Sequence, residues 1–384
     1  MKILFVTRGF PSKENPMEGN YEAVQAKAIA AKGHDVSVIS IYGKPFWRLS
    51  QWPKISHRTV DGVDVYEGEF PSVRFHFIGR INKHLWRFAF RNAFKKCTEE
   101  QGMPDIVHAH IISFASFAIF YREDYHLPFV ITEHWSMVNT PNPPQWLKRM
   151  ASAYSKADRV ICVSQVLADS LKQNFHVDSV VINNMVSNTF FHSSRENRND
   201  GKFRFIACGA FREDHNKGFD ILVDAFALGR FSPNVSLDIV GDGPDLPNIK
   251  RKIKEYGLSV QIRLHGVKQP EEVSSLLCNS DCFVLSSRSE TFAIVVIEAM
   301  AKGLPVVATK CGGPETFLKP EHGLLVDKEN PKQLAEAMKH MVDHSTEYDP
   351  ESIRNYCYEH FSQDVIAEQI IDVYKEVLDS KHLA

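Results

Sequence analysis

No apolar run in this 384-residue chain approaches the length of a membrane span. The first, Ile3–Val6, is four residues long and too short for the core of a secretion signal. Neither a leader nor a transmembrane anchor is expected. Cysteine is sparse: Cys97, Cys162, Cys208, Cys278, Cys282, Cys311 and Cys357 make an odd, scattered seven. That argues against a disulfide framework and fits a reducing cytosol. Cys278 and Cys282 lie four apart, but no second pair or local His completes a zinc pattern, and buried free thiols are expected. The GxGxxG fingerprint is missing from both strand-to-helix turns that could carry it, which argues against a dehydrogenase. The loop Thr7–Asn20 holds only Gly9 and Gly19. Gly241-Asp242-Gly243-Pro244 has Leu246 where a third glycine would stand. Internal repeats, low-complexity tracts and nucleic-acid-binding motifs are absent as well.

What is present is the composition of a soluble globular chain, 43% hydrophobic and 24% charged, long enough for two domains. The net charge of −2 hides an asymmetry. Residues 1–200 carry 24 Lys/Arg and 19 Asp/Glu, leaving 21 and 28 for the remainder. A basic first half (net +5) and an acidic second half (net −7) suggest two units with different surroundings.

Strand and helix patterns alternate as in a doubly wound α/β protein. Ile3–Val6, Val36–Ile41, Asp105–Ala109, Phe129–Thr132, Val160–Val163 and Ser179–Asn184 are expected strands, with Tyr21–Lys32 the first helix. The polar stretch 187–202 reads as a linker. A second series follows: strand Phe203–Cys208, helix Lys217–Ala227, strand Ser236–Val240, helix Leu246–Tyr256, strand Val260–His265 and helix Pro270–Asn279. Gln363–Lys381 is a closing helix.

Residues 44–96 differ from the rest, with eleven basic side chains against four acidic ones. Arg80, Lys83, Arg87, Arg91 and Lys95 recur at helical spacing beside Trp86, Phe90 and Phe94. Two readings stand: a helix lying on an anionic membrane surface, or a core helix with a solvated basic face. Nucleic acid is not expected as a partner.

In open α/β sheets, ligands bind at the carboxyl ends of strands. His110 follows one strand and Glu133-His134 another, so these are candidate site residues. Gly19, at the entry to a helix, would let an oxyanion approach the backbone N–H groups. In the second half, Asp281–Pro314 reads as strand, loop, helix (Phe292–Ala301), strand and loop. It carries Glu290 and Glu298. If Glu290 opens the helix, the two acids are separated by roughly 12 Å along its axis at ~1.5 Å per residue. Carboxylates sharing acid/base work on one glycosidic bond lie about 5–9.5 Å apart. This pair is better suited to gripping two ends of one ligand, with the N–H groups of Thr291, Phe292, Ala293 and Ile294 between them as a diphosphate site.

The run Ser289-Glu290-Thr291-Phe292, Glu298-Ala299-Met300-Ala301, Gly303 to Thr309 and Gly312-Gly313-Pro314-Glu315 resembles the retaining GT-B glycosyltransferases of family 4. The likeness extends to His110 after Asp105–Ala109, to Gly241-Asp242-Gly243-Pro244 and to Gly323–Val326. It implies an α/β fold of two Rossmann-like domains facing each other across a cleft. Residues 1–190 with 363–384 would form the acceptor-binding domain, the C-terminal helix packing back on it. Residues 200–362 would bind the nucleotide-sugar donor.

The resemblance further implies that Glu298 holds the ribose and that Glu290 contacts the transferred sugar. Arg212 and Lys217 would neutralise the diphosphate, and His110 would lie near the anomeric carbon. Gly19, Gly241 and Val267 would border the donor, and Glu133 and His134 the acceptor. No metal or other cofactor is implied. The partners would be a UDP- or GDP-sugar and a glycan or lipid-linked acceptor. The location would be cytoplasmic, at the inner membrane face if residues 44–96 bind lipid. Three positions depart from the pattern. Ala210 stands where arginine is usual, displacing Arg212 by two, Ala293 replaces a common glycine, and Gly19 is a single glycine followed by Asn20. The alternatives are a sugar-nucleotide epimerase of the same fold and a catalytically silent sugar-nucleotide-binding subunit. Intact Glu290, Glu298, Lys217 and His110 argue against the silent one.

Overall fold

The computed structural model describes residues 1–12, 18–44, 54–71, 79–140, 142–192 and 200–382, with side chains at 44, 70–71, 79–83 and 382 excluded. The chain forms two compact units, Met1–Asn183 with Gln363–Ala384, and Asn184–Ser362. The polar stretch 187–202 is therefore not a free linker over its described part. Val186 N donates to Phe361 O at 2.8 Å, and Ser274 Oγ donates to Thr189 O at 3.3 Å, which ties this segment into the second unit.

In the first unit the strands are β1 (Lys2–Thr7), β2 (Asp35–Lys44), β3 (Lys54–Val60), β4 (Val63–Pro71), β5 (Ile106–His110), β6 (Phe129–Glu133), β7 (Arg159–Cys162) and β8 (Val180–Val181). They form one sheet in the order β3-β4-β2-β1-β5-β6-β7-β8, parallel except for β3 against β4. The β3–β4 hairpin turns at Asp61 and Gly62, both with positive φ, the pair of conformations a tight hairpin turn requires. Ile3–Thr7, β5 and β6 are buried at every residue, as expected of parallel strands covered on both faces.

The second unit holds β9 (Phe203–Cys208), β10 (Val235–Val240), β11 (Ile262–Leu264), β12 (Cys282–Leu285), β13 (Val306–Thr309) and β14 (Gly323–Val326). Their order is β11-β10-β9-β12-β13-β14, all parallel. This is the doubly wound 3-2-1-4-5-6 order. The strand sequence reverses between β9 and β12, as it does between β1 and β5 in the first unit. Ligand sites form at the carboxyl ends of strands where the order reverses. The fold thus directs attention to the ends of β1, β5 and β6 in one unit and of β9 and β12 in the other.

The basic, aromatic helix spans Gly79–Gln101. Its aromatic stripe is core: Phe90 and Phe94 are buried, and Trp86 stacks on Phe117 at 4.8 Å. Of its basic stripe, Arg87 and Arg91 pair with Glu123 and Asp124, and both lie over the Phe120 ring. Its described part is thus a core helix whose basic face is largely met by acids of the neighbouring helix Phe120–Tyr125. Residues 45–53 and 72–78, and the side chains of Arg80 and Lys83, lie outside the described residues. Among the described residues no helix is long and apolar enough to cross a membrane.

The closing helix Gln363–His382 packs on the helix Asn20–Ala31, with Lys32 Nζ 2.8 Å from Asp364 and 2.9 Å from Glu368. It also reaches the sheet. Tyr374 Oη lies 2.5 Å from His108 Nδ1, and the other imidazole nitrogen lies 2.6 Å from Thr132 Oγ1. Burial holds His108 neutral, its pKa pushed down to about 3, so one nitrogen donates and the other accepts. Replacing Tyr374 with Phe strands one buried nitrogen. The first unit should lose about 1–3 kcal/mol, read as a lower urea midpoint in far-UV circular dichroism. An unchanged midpoint would show that the bond contributes nothing.

Candidate active site

In the second unit the site is built where β9 and β12 end. Gly209 follows β9, and a Cβ added there would lie 3.2 Å from Lys217 Cγ, so the glycine makes room for that side chain. Gly218 then starts the helix Phe219–Gly229 with φ +62, and a Cβ there would lie 2.0 Å from Ser286 O. The helix accordingly begins two residues later than Lys217, which remains in the loop. Ser286 Oγ donates to Lys217 O at 3.0 Å, closing this approach from the other side.

Lys217 Nζ donates to Glu290 Oε1 at 2.7 Å, and Ser287 Oγ donates to the same oxygen at 2.7 Å. Oε2 of Glu290 accepts from no side chain or amide among the described residues. The pair is mostly buried, with side chains 22% and 11% exposed. Glu290 is fixed by its backbone too. Its N–H bonds Cys311 O at 2.9 Å, and its carbonyl accepts from Gly313 N at 3.0 Å. Glu290 therefore lies in a loop bridged to Gly312, not at the start of a helix. The axial spacing expected of the two glutamates does not apply.

The helix itself is Ile294–Met300, shorter than the Phe292–Ala301 expected. It starts late because Ala293 adopts φ 75, ψ 65, a left-handed conformation that favours glycine. Among the described residues, the amides of Phe292, Ala293, Ile294 and Val295 bond no backbone carbonyl, and Val296 N is the first to do so, to Ala293 O at 3.0 Å. Glu298 lies on this helix. Part of its surface is accessible, yet protein surrounds it at longer range, and the lost hydration pushes its carboxyl up to about 8. Its proximity also adds to the raised Cys208 thiol at the end of β9.

The remaining residues named from sequence fall around this core. Gly241 follows β10, bonds Gly266 O at 2.9 Å and packs so closely that a Cβ would lie 1.9 Å from Gly209 O. Val267, next to Gly266, is 60% exposed. Arg212 is turned to Asp214, its Nε 3.0 Å from Oδ2, and no described bond joins it to Lys217 or Glu290. Sequence reasoning missed Ser287 and Arg288. Arg288 clasps Asp220 at 2.8 Å and Glu329 at 2.6 Å, fastening the loop that carries Glu290.

In the first unit, Gly19 (φ +65) lies against Gly9, where a Cβ would meet the Gly9 carbonyl oxygen at 2.0 Å. His110 ends β5, 2% exposed, its ring stacked on Phe5 at 5.3 Å and edge-on to His134 at 5.7 Å. Burial pushes its pKa well below the usual histidine value, and its Nε2 has no hydrogen-bond partner. The next residue, Ile111, has φ +66, a strained conformation for a β-branched side chain.

Glu133 is wholly buried and saturated. Oε2 accepts from Ile112 N at 2.9 Å and Tyr154 Oη at 2.6 Å, and Oε1 from His134 N at 3.0 Å and Trp135 N at 2.8 Å. Its carboxylate thus fixes the loops beyond β5 and β6 and is not free for a ligand. His134 Nε2 lies 3.8 Å from Glu22 Oε1, on the first turn of the helix after Gly19. Glu22 was not foreseen, although an acid in a helix's first turn is a readable signal. Gly19, His110 and His134 are thus brought to one end of the sheet. Among the described residues no group of three or more His, Cys, Asp or Glu is placed to hold a metal ion.

Family models match almost the whole chain. One described as "Glycosyltransferase Family 4" matches residues 22–189, and one described as "Glycosyl transferases group 1" matches residues 188–360. The putative teichuronic acid biosynthesis glycosyltransferase TuaC of Bacillus subtilis is 28% identical over 374 residues, 91% of each chain. The lipopolysaccharide core biosynthesis glycosyltransferase LpsE of Rhizobium meliloti is 31% identical over 46% of this chain and 49% of its own. Among solved structures, sucrose-phosphate synthase of Thermosynechococcus elongatus has a TM-score of 0.79 at 20% identity, covering 99% of both chains. Anabaena HepE in complex with UDP has a TM-score of 0.72 at 18% identity, covering 98% of this chain and 100% of its own. These likenesses show the GT-B fold.

Two outcomes test this description of the second unit's strand ends. Ala293→Gly relieves the left-handed strain and should stabilise the second unit by about 1 kcal/mol, seen as a higher urea midpoint. A lower midpoint would contradict the strain. Glu298 supplies the second. With its native pKa about 8 against an ordinary 4.5, the folded form keeps a proton that the unfolded chain has lost. Its contribution to stability is present below about 4.5, falls as pH rises, and is gone above about 8. Urea titrations across that window should show a slope that Glu298→Gln removes; parallel profiles would refute the raised pKa.

Proposed function

We propose a reaction for this chain, which belongs to the family 4, group 1 glycosyltransferases: it moves a sugar, with retention, from a UDP- or GDP-sugar to a glycan or lipid-linked acceptor. Relatives named for teichuronic acid and lipopolysaccharide core biosynthesis support a role in polysaccharide or glycolipid synthesis. Membership of a transferase family leaves no support for the epimerase alternative.

The observation that carries the reading is the Lys217–Ser287–Glu290 cluster beside the open amides of Phe292–Val295. A leaving nucleoside diphosphate gathers negative charge as the glycosidic bond breaks. Lys217 and the amides are fixed donors for that charge, and pre-set donors in a water-poor site need no reorganisation as the reaction proceeds. Glu290, with Oε1 fully engaged, presents Oε2 to hydroxyls of the transferred sugar. Glu298 takes the ribose hydroxyls. In the first unit, the neutral, unpartnered His110 can accept or donate a hydrogen bond to a sugar hydroxyl without adding charge, and His134 borders the acceptor. Glu133 acts only by positioning. Arg212 would have to leave Asp214 to touch phosphate, so Lys217 is the principal cation. The residues named here supply charge stabilisation without a metal ion.

A thermal-shift panel of UDP-, GDP- and ADP-sugars identifies the base, since a ligand that binds the native state raises its stability by mass action. With the matching donor, free nucleotide should accumulate only when acceptor is added. Lys217→Ala should lower turnover by about 10²–10³, the usual loss on removing a group that stabilises developing negative charge, with Glu290→Gln as the control for the freed carboxylate. Nucleotide release at the wild-type rate from folded Lys217→Ala would overturn the assignment.

A further inference from the structure

We infer that Trp135 and Trp146 form a stacking platform for a pyranose ring of the acceptor. Their ring centroids are 5.8 Å apart with the planes inclined at 47°. Trp146 is 44% exposed and Met137, beside them in sequence, 37%. Trp146 therefore presents much of its indole to solvent beside Trp135. The surroundings specify which partner. Exposed Ser136, Thr140, Gln145 and Arg149 lie in the same loop and helix, and Met137 is the one exposed aliphatic side chain of 134–150 among the described residues. A lipid or protein docking face would be a contiguous apolar patch. Two inclined indoles among hydrogen-bonding groups match a sugar ring, whose C–H face carries partial positive charge toward the π-cloud while its hydroxyls point to the edge.

The platform stands on a fixed base. Glu133 Oε1 accepts from Trp135 N at 2.8 Å, Val138 is wholly buried, and Asn174 Nδ2 donates to Val138 O and Thr140 O, each at 3.4 Å. Leu147 is wholly buried under the helix Gln145–Met150, which carries Trp146. Little conformational entropy is lost when a ring settles on side chains held this way. The position is also continuous with the strand-end residues. Trp135 directly follows His134, whose ring contacts that of His110.

The inference rests on reading the first unit as the acceptor side, and it is tested without donor so that the two can fail separately. The full chain is titrated with maltose, cellobiose and diacetylchitobiose, following tryptophan fluorescence, and in parallel with phosphatidylglycerol vesicles. At least one disaccharide should give a saturable change. Trp146→Ala should raise its half-saturation concentration tenfold or more, and Trp146→Phe less than threefold. UDP and GDP thermal shifts should be equal in wild type and Trp146→Ala. The inference is overturned if no disaccharide saturates, if Trp146→Ala titrates like wild type, or if only vesicles produce the change. A chain that binds sugar at this pair yet releases no nucleotide with donor and acceptor keeps the platform and loses the proposed reaction.

Discussion

The ion pair between Lys217 and Glu290 is the constraint around which the second unit's strand ends are arranged. A mostly buried pair must recover the hydration both charges give up, and it does so only with good geometry and further hydrogen bonds. Here Ser287 supplies one such bond, and backbone bonds to Cys311 and Gly313 fix the main chain of Glu290. The cation arrives through a passage that glycine eases at Gly209 and that glycine alone permits at Gly218. Arg288 then clamps the loop from its outer side through Asp220 and Glu329. Each part is needed because an unmatched charge at this depth would be costly. The result is a cation and an acceptor oxygen already in position before any ligand binds.

Much of this was legible in the sequence, for identifiable reasons. Parallel strands buried on both faces leave continuous apolar runs, so β1, β5, β9 and β12 were visible and their carboxyl ends marked His110 and the Glu290 loop. The β3–β4 hairpin was hidden by attention to basic charge, although Asp61-Gly62 is the turn signal that two positive-φ residues require. The start of the Glu298 helix was misplaced because Ala293 does not announce a left-handed residue as glycine would. Trp86, Phe90 and Phe94 read as either core or membrane face, since helical spacing alone does not say what a stripe meets. The fold places the aromatic stripe in the core, with Phe90 and Phe94 buried and Trp86 on Phe117, while helix Phe120–Tyr125 offers Glu123 and Asp124 to Arg87 and Arg91. The place of Glu133 at a strand end could be read, but its structural role could not. Its four hydrogen bonds come from Ile112, His134, Trp135 and Tyr154, and such saturation exists only once the chain is folded.

Strain sits beside candidate site residues in both units. Ile111 follows His110 with φ +66, and Ala293 follows the Glu290 loop with φ 75. Neither side chain favours that conformation, and each such residue costs on the order of 1–3 kcal/mol. Ile111 is held there by its own N–H bonding Thr132 O at 2.9 Å and by the Glu133 carboxylate on Ile112 N. Ala293 is buried between Phe292, packed on Phe317 and Phe361, and the helix it starts. In both places surrounding packing over-determines the backbone, and the consequence is a sharp turn beside the strand-end residues.

Two titratable groups are held neutral for the same physical reason, and this bears on how charge is distributed at the strand ends. Burial removes the proton from His110 and keeps one on Glu298, so neither adds a charge of its own near neutral pH. The second unit's strand ends are left with a balanced pair, Lys217 and Glu290, plus unbonded amides. Under the proposed reaction a nucleoside diphosphate would bring two or more negative charges to that setting, and ribose hydroxyls placed on Glu298 would bring donors that favour its ionised form. Ligand binding and ionisation of Glu298 would then be coupled, a proton leaving as the ribose arrives. Donor affinity would rise with pH up to the point where Glu298 has already lost its proton without ligand. On that reading a desolvated acid would link donor affinity to pH with no separate switch required.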